Sequence, residues 1–469
     1  TRDWSSDVCS SDLFLFLDTG EYVMKKLTVL LVLVASLLLL ISVASAAPIT
    51  YNSGFQVQNL SGNPADVIIK FYEQNGTEKY SLSDTIAAND SKTYFPLPTA
   101  VGAGFNGSVV VSSTEPIASI ANVLGDGFEF GASYGSFEGG AQSVDLPLIM
   151  KGNSGEYDTW FNVQNAGSSD VDVSVSYAGT ACNESFPGLK PGAAHTFDQA
   201  SNTCLPAGYV GAASVTASTG GSIVATVIET GNETLFAYNG FTTGSENPVM
   251  PLAQFNNAGY HTGIQIQNTG GSSTNVTVSF TPAAGAPGTA CTETQTISAG
   301  NSATFGLFAF SLSSPVGTNT CTFGEQFVGS ARVTANSSAN DLVAIVNQTN
   351  FANYGSSYNG FNLASASSTL TMPLIMDRNA GYYTGFNVMN VGGSSTTVNC
   401  TFSNTTYTVN QVVAAGGALN DLQLNKIADR YVGGGTCSAS AGGSIVAVVN
   451  ELGDSTSADL LFTYEGFNQ

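Results

Sequence analysis

The sequence predicts an all-β protein that contains several tandem copies of one domain. One seven-residue pattern occurs four times, at residues 53–59, 159–165, 262–268 and 384–390. In each copy apolar and polar residues alternate up to a final Asn, which small turn residues follow. This is the pattern of a half-buried strand that runs into a turn. Strand-forming residues with abundant Gly and turn residues favour the same class.

The N-terminal part of the sequence is interpreted separately from the repeats. Residues 3–13 resemble a translated sequencing adapter, so residues 1–23 are interpreted as an artefact or untranslated. Residues 24–46 have two lysines, an apolar run at 27–43 and small residues at the end. This order is typical of a secretory signal peptide, and we predict cleavage after Ala46. The alternative is an uncleaved anchor, because the run is about as long as a short membrane helix.

Composition restricts the partners of the remaining chain. Residues 47–469 carry 9 Lys and Arg and 29 Asp and Glu (12 less 3 and 34 less 5), a net charge of −20. Phosphate binding needs clustered Lys and Arg, so we expect no nucleic-acid partner. The same charge would repel an anionic membrane. We therefore expect no membrane contact beyond an uncleaved signal segment.

The repeated pattern divides the chain into four predicted β-sandwich domains, at 47–143, 144–247, 248–370 and 371–469. A typical copy opens on an apolar stretch with Pro, as in Pro147-Leu148-Ile149-Met150, and closes as in Tyr238-Asn239-Gly240-Phe241. About seven short strands with turns, in about 100 residues, indicate an immunoglobulin-like sandwich.

Six cysteines lie in the last three domains, and export would favour disulfides between them. Cys182 and Cys291 follow the same Gly-Thr-Ala, and Cys204 and Cys321 follow the same Asn-Thr. These matching positions predict the pairs Cys182–Cys204 and Cys291–Cys321.

The fourth domain places its cysteines where the other domains have aliphatic residues. Offsets from the repeated Asn and Gly predict that a Cys400–Cys437 disulfide replaces a pair of core residues. A disulfide requires Cα atoms that lie about 4.4–6.8 Å apart. The corresponding pairs should therefore be close neighbours, namely Ile69 and Val111, Val175 and Val215, and Val278 and Val333.

Motifs for catalysis and metal binding are weak, and we predict no enzyme, no cofactor and no metal site. Residues 131–135 match Gly-x-Ser-x-Gly, but no amphipathic helix follows and the first domain has no His. Residues 102–107 match Gly-x-Gly-x-x-Gly, but they precede a strand rather than a helix. The two mature histidines, His195 and His261, lie in different domains and are interpreted as loop residues rather than ligands.

Aromatic residues are the candidate ligand contacts. Tyr157, Tyr260 and Tyr382 recur in the same loop, and Trp160 stands where the other copies have Gly. Such rings stack on sugars in carbohydrate-binding modules. The alternative for the tyrosines is packing on the rim of their own sandwich. For Trp160 it is packing between domains.

The repeats resemble tandem immunoglobulin-like modules of secreted bacterial surface proteins. Four patterns carry this resemblance: the opening Pro-Leu-Ile-Met, the Thr-Gly-Phe-Asn-Val-x-Asn strand, the Tyr/Phe-Val-Gly-Ser/Ala strand and the closing Tyr-Asn-Gly-Phe. The resemblance covers nearly all of residues 47–469. It implies an extracellular or cell-surface location and this architecture, and it transfers no catalytic residues.

These observations predict a non-enzymatic extracellular structural or adhesive protein, a cell-surface stalk or matrix component, with a polysaccharide or protein partner. Four sandwiches laid end to end would reach on the order of 150 Å. A carbohydrate-binding protein that uses loop aromatics is the first alternative. The accessory region of a truncated secreted enzyme is the second.

Overall fold

Antiparallel strands account for nearly all regular structure in the computed structural model. It describes residues 50–125, 129–231, 233–306, 317–336, 341–350, 354–440, 442–453 and 461–468, so the predicted signal segment lies outside the described residues. Short 3₁₀ helices at Thr99–Val101 and Leu363–Ser365 lie between strands. The prediction of an all-β fold is confirmed.

The first two sequence repeats have closely similar strand orders within the described residues. The strands of repeat 1 are β1 (Tyr51–Asn59), β2 (Ala65–Glu73), β3 (Glu78–Ile86), β4 (Ser91–Tyr94), β5 (Gly107–Ser113), β6 (Ile117–Gly125) and β7 (Phe130–Gly135). The strands of repeat 2 are β8 (Ser143–Lys151), β9 (Asp158–Asn165), β10 (Val171–Tyr177), β11 (Asn183–Leu189), β12 (Ala194–Asp198), β13 (Tyr209–Ala217), β14 (Ile223–Gly231) and β15 (Thr234–Asn239).

The last two repeats follow the same order with small additions. The described strands of repeat 3 are β16 (Val249–Phe255), β17 (His261–Asn268), β18 (Thr274–Pro282), β19 (Cys291–Ile297), β20 (Ser302–Phe305), β21 (Thr318–Asn319), β22 (Phe327–Ala335), β23 (Leu342–Thr349) and β24 (Gly355–Asn359). Those of repeat 4 are β25 (Thr369–Asp377), β26 (Tyr382–Asn390), β27 (Thr396–Phe402), β28 (Thr408–Val413), β29 (Ala418–Leu422), β30 (Tyr431–Ala439), β31 (Ile445–Gly453), β32 (Leu461–Glu465) and β33 (Phe467–Asn468).

Each repeat forms two sheets, which we call inner and outer. The inner sheets contain the marker strands (β1, β9, β17, β26) and the closing strands (β7, β15, β24, β32), in the orders β4-β1-β6-β7, β12-β9-β14-β15, β20-β17-β23-β24 and β29-β26-β31-β32. The outer sheets are β3-β2-β5, β11-β10-β13-β8, β16-β22-β18-β19-β21 and β28-β27-β30-β25-β33. The outer sheets of repeats 2, 3 and 4 include an opening strand (β8, β16, β25).

Apolar residues from the two sheets of one repeat pack into a common core, as in a sandwich. In repeat 2, Phe161 and Val163 of the inner sheet meet Val173 and Val175 of the outer sheet, and all four side chains are buried. The other repeats build their cores in the same way. The alternation of each strand therefore sends one side of it into its own sandwich.

The cysteines and their aliphatic counterparts confirm the predicted register. The structure joins Cys182 to Cys204, Cys291 to Cys321 and Cys400 to Cys437. Cys400 lies directly opposite Cys437 on β27 and β30. The three predicted pairs are direct cross-strand partners in the same way, namely Ile69 and Val111, Val175 and Val215, and Val278 and Val333.

The four repeats meet through their closing strands. β7 contacts β15, β15 contacts β24, β24 contacts β32, and β32 contacts β7 again. Repeats 4 and 1 are also joined by a hydrogen bond of 2.9 Å from Gln56 Nε2 to Pro373 O. Residues 50–469 form one compact unit. The end-to-end arrangement expected for a stalk is therefore wrong for these residues, since the first repeat contacts the last.

Candidate functional site

The outer sheet of repeat 3 presents a row of hydroxyl side chains on four neighbouring strands. Thr318 lies opposite Thr294, Thr294 opposite Thr277, and Thr277 opposite Thr334. The Thr277 and Thr294 hydroxyls lie 2.8 Å apart and form a hydrogen bond. Since strands lie about 4.8 Å apart, the row extends about 14 Å across the sheet.

Repeats 2 and 4 carry similar rows at matching places. The registers of their outer sheets align short polar side chains that lie on the face opposite the core: Ser185, Ser174, Thr216 and Ser143 in repeat 2, and Asn410, Asn399, Ser438 and Thr369 in repeat 4. In repeat 1 the exposed Ile68 and the half-buried Lys70 interrupt the pattern. Hydroxyl and amide groups both donate and accept hydrogen bonds without the desolvation cost of a charge.

A shallow pocket lies on this face of repeat 2. It is lined by Ser174, Ser176, Glu184, Ser214 and Thr216, among others. The Glu184 carboxylate accepts hydrogen bonds from the Tyr177 hydroxyl and from Asn202 Nδ2. Glu184 is therefore held in place by its own repeat, and the Ser and Thr hydroxyls remain as the groups that a ligand would meet.

Trp160, a candidate ligand contact, lies at the joint between repeats 1 and 2. It packs with an apolar cluster that includes Val123 of repeat 1 and Ile228 of repeat 2. Its ring also meets Tyr51 of repeat 1 edge to face, with centroids 5.9 Å apart. Trp160 thus packs between repeats, and a ligand contact through its exposed part stays a prediction.

The three candidate loop tyrosines lie in different repeats and do not form one site. Tyr157 packs against the core of repeat 2. Tyr260 pairs with Asn257 in its own hairpin and is half-buried. Tyr382 lies 6.1 Å from Phe462 between ring centroids. These positions correspond to the packing alternative, although stacking of a sugar on their exposed parts stays a prediction.

Replacing Trp160 with Ala should weaken the joint between repeats 1 and 2. Loss of a half-buried indole and its contact with Tyr51 is expected to lower the free energy of unfolding by about 2–3 kcal/mol. Urea denaturation of wild type and variant measures this. Trp160→Phe, which keeps an aromatic ring, should lose less than half as much. If Trp160→Ala instead leaves stability unchanged, Trp160 is not a packing residue.

The other three joints contain polar contacts that use equivalent positions of neighbouring repeats. Asn347 Nδ2 donates to Glu229 Oε2 at 2.8 Å. Gln348 and Asn450 exchange two hydrogen bonds of 3.1 Å through their amides. Glu451 is bound in the same way by Asn122 of repeat 1. Burial raises the pKa of Glu229 and of Glu451 to about 8.

A second polar network lies at the ends of the closing strands, where the four repeats meet. The Asn239 backbone N–H donates to Asn359 Oδ1 at 3.0 Å, and Asn239 Nδ2 donates to Gly135 O at 2.7 Å. The Asn359 N–H donates to Glu465. Burial raises the pKa of the Glu465 carboxyl. One residue from every repeat takes part, so the second residue of the closing motif joins the repeats.

One signal of these joints is present in the sequence. Strands β14 and β31 both open on Ile-Val-Ala and carry Glu229 and Glu451 at the same offset from it. A carboxylate at the same offset in two such strands indicates a polar contact on the outer side of an inner sheet. The sequence did not predict the hydroxyl rows either. Alternation shows that one face of a strand is polar, but it does not show whether that face contacts solvent or a ligand.

The Asp377 carboxylate is bound by hydrogen-bond donors of the protein itself. The Asp377 carboxylate is buried and accepts hydrogen bonds from the N–H groups of Asn425 (3.0 Å) and Ile427 (2.8 Å) and from Arg378 Nε (2.9 Å). Although burial favours the neutral acid, these donors hold the pKa of Asp377 below its usual range. This carboxylate supports a turn.

The remaining motifs occupy structural places. Residues 131–135 lie within strand β7, where Ser133 is buried and donates to Asn122 Oδ1 at 2.6 Å. His195 and His261 lie in strands β12 and β17, so their prediction as loop residues was wrong. Among the described residues, no group of three His, Cys, Asp or Glu side chains is placed to hold a metal ion.

Two further findings concern relatives and membranes. No protein-family model and no curated protein matches the chain. Within the residues described above, no helix is both long and apolar enough to cross a bilayer. The structure shows tandem β-sandwich repeats with three disulfides.

Proposed function

We propose that the protein is a non-enzymatic structural or adhesive protein of the cell surface or extracellular matrix, of the kind that the repeats resemble. The rows of hydroxyl and amide side chains on the outer sheets of repeats 2, 3 and 4 are the observation that carries this proposal. The four repeats form a closed ring, because each closing strand contacts the next and β32 contacts β7. The rows give the outer sheets of this ring neutral groups that bind through many weak hydrogen bonds. Three disulfides fit an oxidising compartment.

The partner we propose is a neutral extracellular polysaccharide, because its hydroxyls complement the rows without requiring opposite charge. The pocket on repeat 2 favours this over a protein partner, since it offers Ser and Thr hydroxyls in a concave surface. The proposed contact thus lies on the outer sheets and not on the loop aromatics.

Replacing Thr277 and Thr294 together with Val tests the proposal. Val has nearly the volume of Thr but no hydroxyl, so the sheet should keep its packing and lose two hydrogen-bonding groups. Sedimentation with insoluble cell-wall and plant polysaccharides should show binding of the wild type and at least about fivefold weaker binding of the variant.

Thr203→Val in an exposed loop of repeat 2 is the matched control and should bind like the wild type. Equal binding by the wild type, the Thr277→Val/Thr294→Val variant and the control would show that the row does not bind the polysaccharide. No sedimentation with any polysaccharide would leave the structural role without a carbohydrate partner, and the partner proposal would fail.

A further inference from the structure

Within residues 50–468 as the structure describes them, repeat 1 has an unpaired edge where the other repeats have a strand. In repeats 2, 3 and 4, strands β13, β22 and β30 pair on one side with the opening strand β8, β16 or β25. The equivalent strand of repeat 1, β5, pairs only with β2 among the described residues. Its core residue Val111 is accordingly half-exposed, whereas Val215 and Val333 are fully buried.

The marker strand of repeat 2, β9, faces the same gap. Each opening strand also packs against the marker strand of the next repeat in the ring: β8 against β17, β16 against β26, and β25 against β1. The outward residues of those three marker strands are buried: Gln265 and Gln267, Asn387 and Met389, and Gln56 and Gln58. Their counterparts in repeat 2, Asn162 and Gln164, are only half-buried. We call the space between β5 and β9 the slot.

A tyrosine that holds the opening strand elsewhere has no such contact in repeat 1. The hydroxyls of Tyr238 and Tyr464 donate to Leu148 O and Leu374 O and accept from the N–H groups of the same leucines. Tyr358 and Leu252 form the same pair. Tyr134 has the same place in repeat 1, and its hydroxyl makes no hydrogen bond within the described residues. In the part of the chain that the structure describes, the slot therefore lacks one strand and retains the residue that would bind it.

Backbone donors in the slot face the missing strand. The N–H groups of Ala217, Val333 and Ala439 donate toward the opening strand, to Gln142 O, Pro248 O and Ser368 O, each at 2.8 Å. The register places Val111 and Ser113 of β5 at the same positions. Their N–H groups point into the slot, as in a sheet edge that accepts an added strand.

The chain path indicates where that strand comes from. Short links at residues 138–142, 242–248 and 362–368 lead from the end of one repeat to the opening strand of the next in the ring. Phe467 pairs with β25 as Phe241 and Phe361 pair with the chain near their opening strands. Repeat 4 contacts repeat 1 as the others contact their neighbours. A similar link from Phe467 would lead into the slot.

We propose that the slot accepts an extended, mostly uncharged strand of the opening type, joined to repeat 4 as each other opening strand is joined to the repeat before it. This strand would hydrogen-bond to β5, cover Asn162 and Gln164 and bind the Tyr134 hydroxyl. Such a strand would thereby complete the first sandwich and close the ring of repeats.

The test extends the chain, expressed from Met24 and purified after export, by a copy of residues 138–151 placed after Gln469. The amides of β5 should exchange hydrogen at least about tenfold more slowly in the extended protein, and its melting temperature should rise. The extended protein should remain a monomer by light scattering. Val111→Pro, which removes a donor on the slot side while keeping the pairing with β2, should cancel most of the gain.

Two control variants test whether the protection comes from an apolar strand that fills the slot. An extension in which the counterparts of Leu146 and Leu148 are Asp should give no protection. Val110→Ser copies Ser214 of repeat 2 on the outer face and should leave the gain intact. Unchanged exchange on extension would overturn the proposal. So would β5 amides already protected by residues before Thr50, or oligomers linked through the extension.

Discussion

Changing both Glu229 and Glu451 to Gln is expected to stabilise the protein strongly at alkaline pH. Each carboxyl is buried at a joint between repeats, and each has one oxygen without a hydrogen-bond partner in the described structure. Burial raises the pKa of each to about 8. An ionised carboxylate at such a joint has no cation beside it, so ionisation opposes folding.

The sign of the pH dependence follows from these pKa values. Because the folded pKa lies above the unfolded value near 4.5, the folded protein binds more protons between these two values. The stabilisation is fully present below about pH 4.5 and is lost as the pH rises through 8. By linkage the loss is about 5 kcal/mol for each carboxyl. The double Gln variant should lack this loss.

Repeat 3 shows that Gln fits this position. Gln348 stands there and exchanges two hydrogen bonds with Asn450 across the next joint. Urea denaturation from pH 5 to 9 should give a steep fall in unfolding free energy for the wild type and a much flatter line for Glu229→Gln/Glu451→Gln. The exposed control Glu156→Gln should follow the wild type. A variant that is less stable than wild type at pH 9 would show that the carboxylates are stabilising when ionised.

The strands and their register could be predicted because they depend on local and repeated signals. Alternation selects the side of a strand that enters its own sandwich, and the aliphatic counterparts of Cys400 and Cys437 identify which strands pair. Internal repetition made this comparison possible within one chain. The pairing of Ile69 with Val111 in repeat 1 follows from the same offset, although that repeat has no disulfide.

The arrangement of the repeats could not be predicted, because the polar side of a marker strand gives no sign of what covers it. The alternation of the strand predicts that Gln265 and Gln267 face solvent. Both side chains are instead buried beneath the opening strand of repeat 2. Uncharged amides tolerate such burial when they find hydrogen bonds, as Gln265 does with Ser302 and Thr304. A neutral polar residue is therefore compatible with exposure to solvent and with burial between repeats. The sequence does not distinguish these two environments, so it did not predict the ring.

Replacing the marker residue Asn390 with Ala should unfold repeat 4 or come close to it. Asn390 is fully buried, and its Nδ2 donates to Ser394 O (2.8 Å) and Val413 O (3.0 Å) while its Oδ1 accepts from the Gly392 N–H (3.0 Å). The side chain thus fixes the turn after the marker strand and ties the inner sheet to the end of β28 in the outer sheet. Asn59, Asn165 and Asn268 make the same kinds of contact in their repeats.

Ala at position 390 would leave two carbonyls and one N–H group without these partners. Each buried group that loses its partner costs about 1–3 kcal/mol, so we expect a loss of about 3–5 kcal/mol in the free energy of unfolding. Asn390→Asp keeps the acceptor but cannot donate, and its charge would face two carbonyl oxygens, so it should be at least as destabilising. Asn399→Ala on the outer face of the same repeat should cost less than 1 kcal/mol by the usual effect of surface substitutions, and urea denaturation compares all three. A small loss with Asn390→Ala would mean that the turn forms without its side chain. The recurrence of Asn would then reflect turn propensity alone, which is all that the sequence pattern by itself implies.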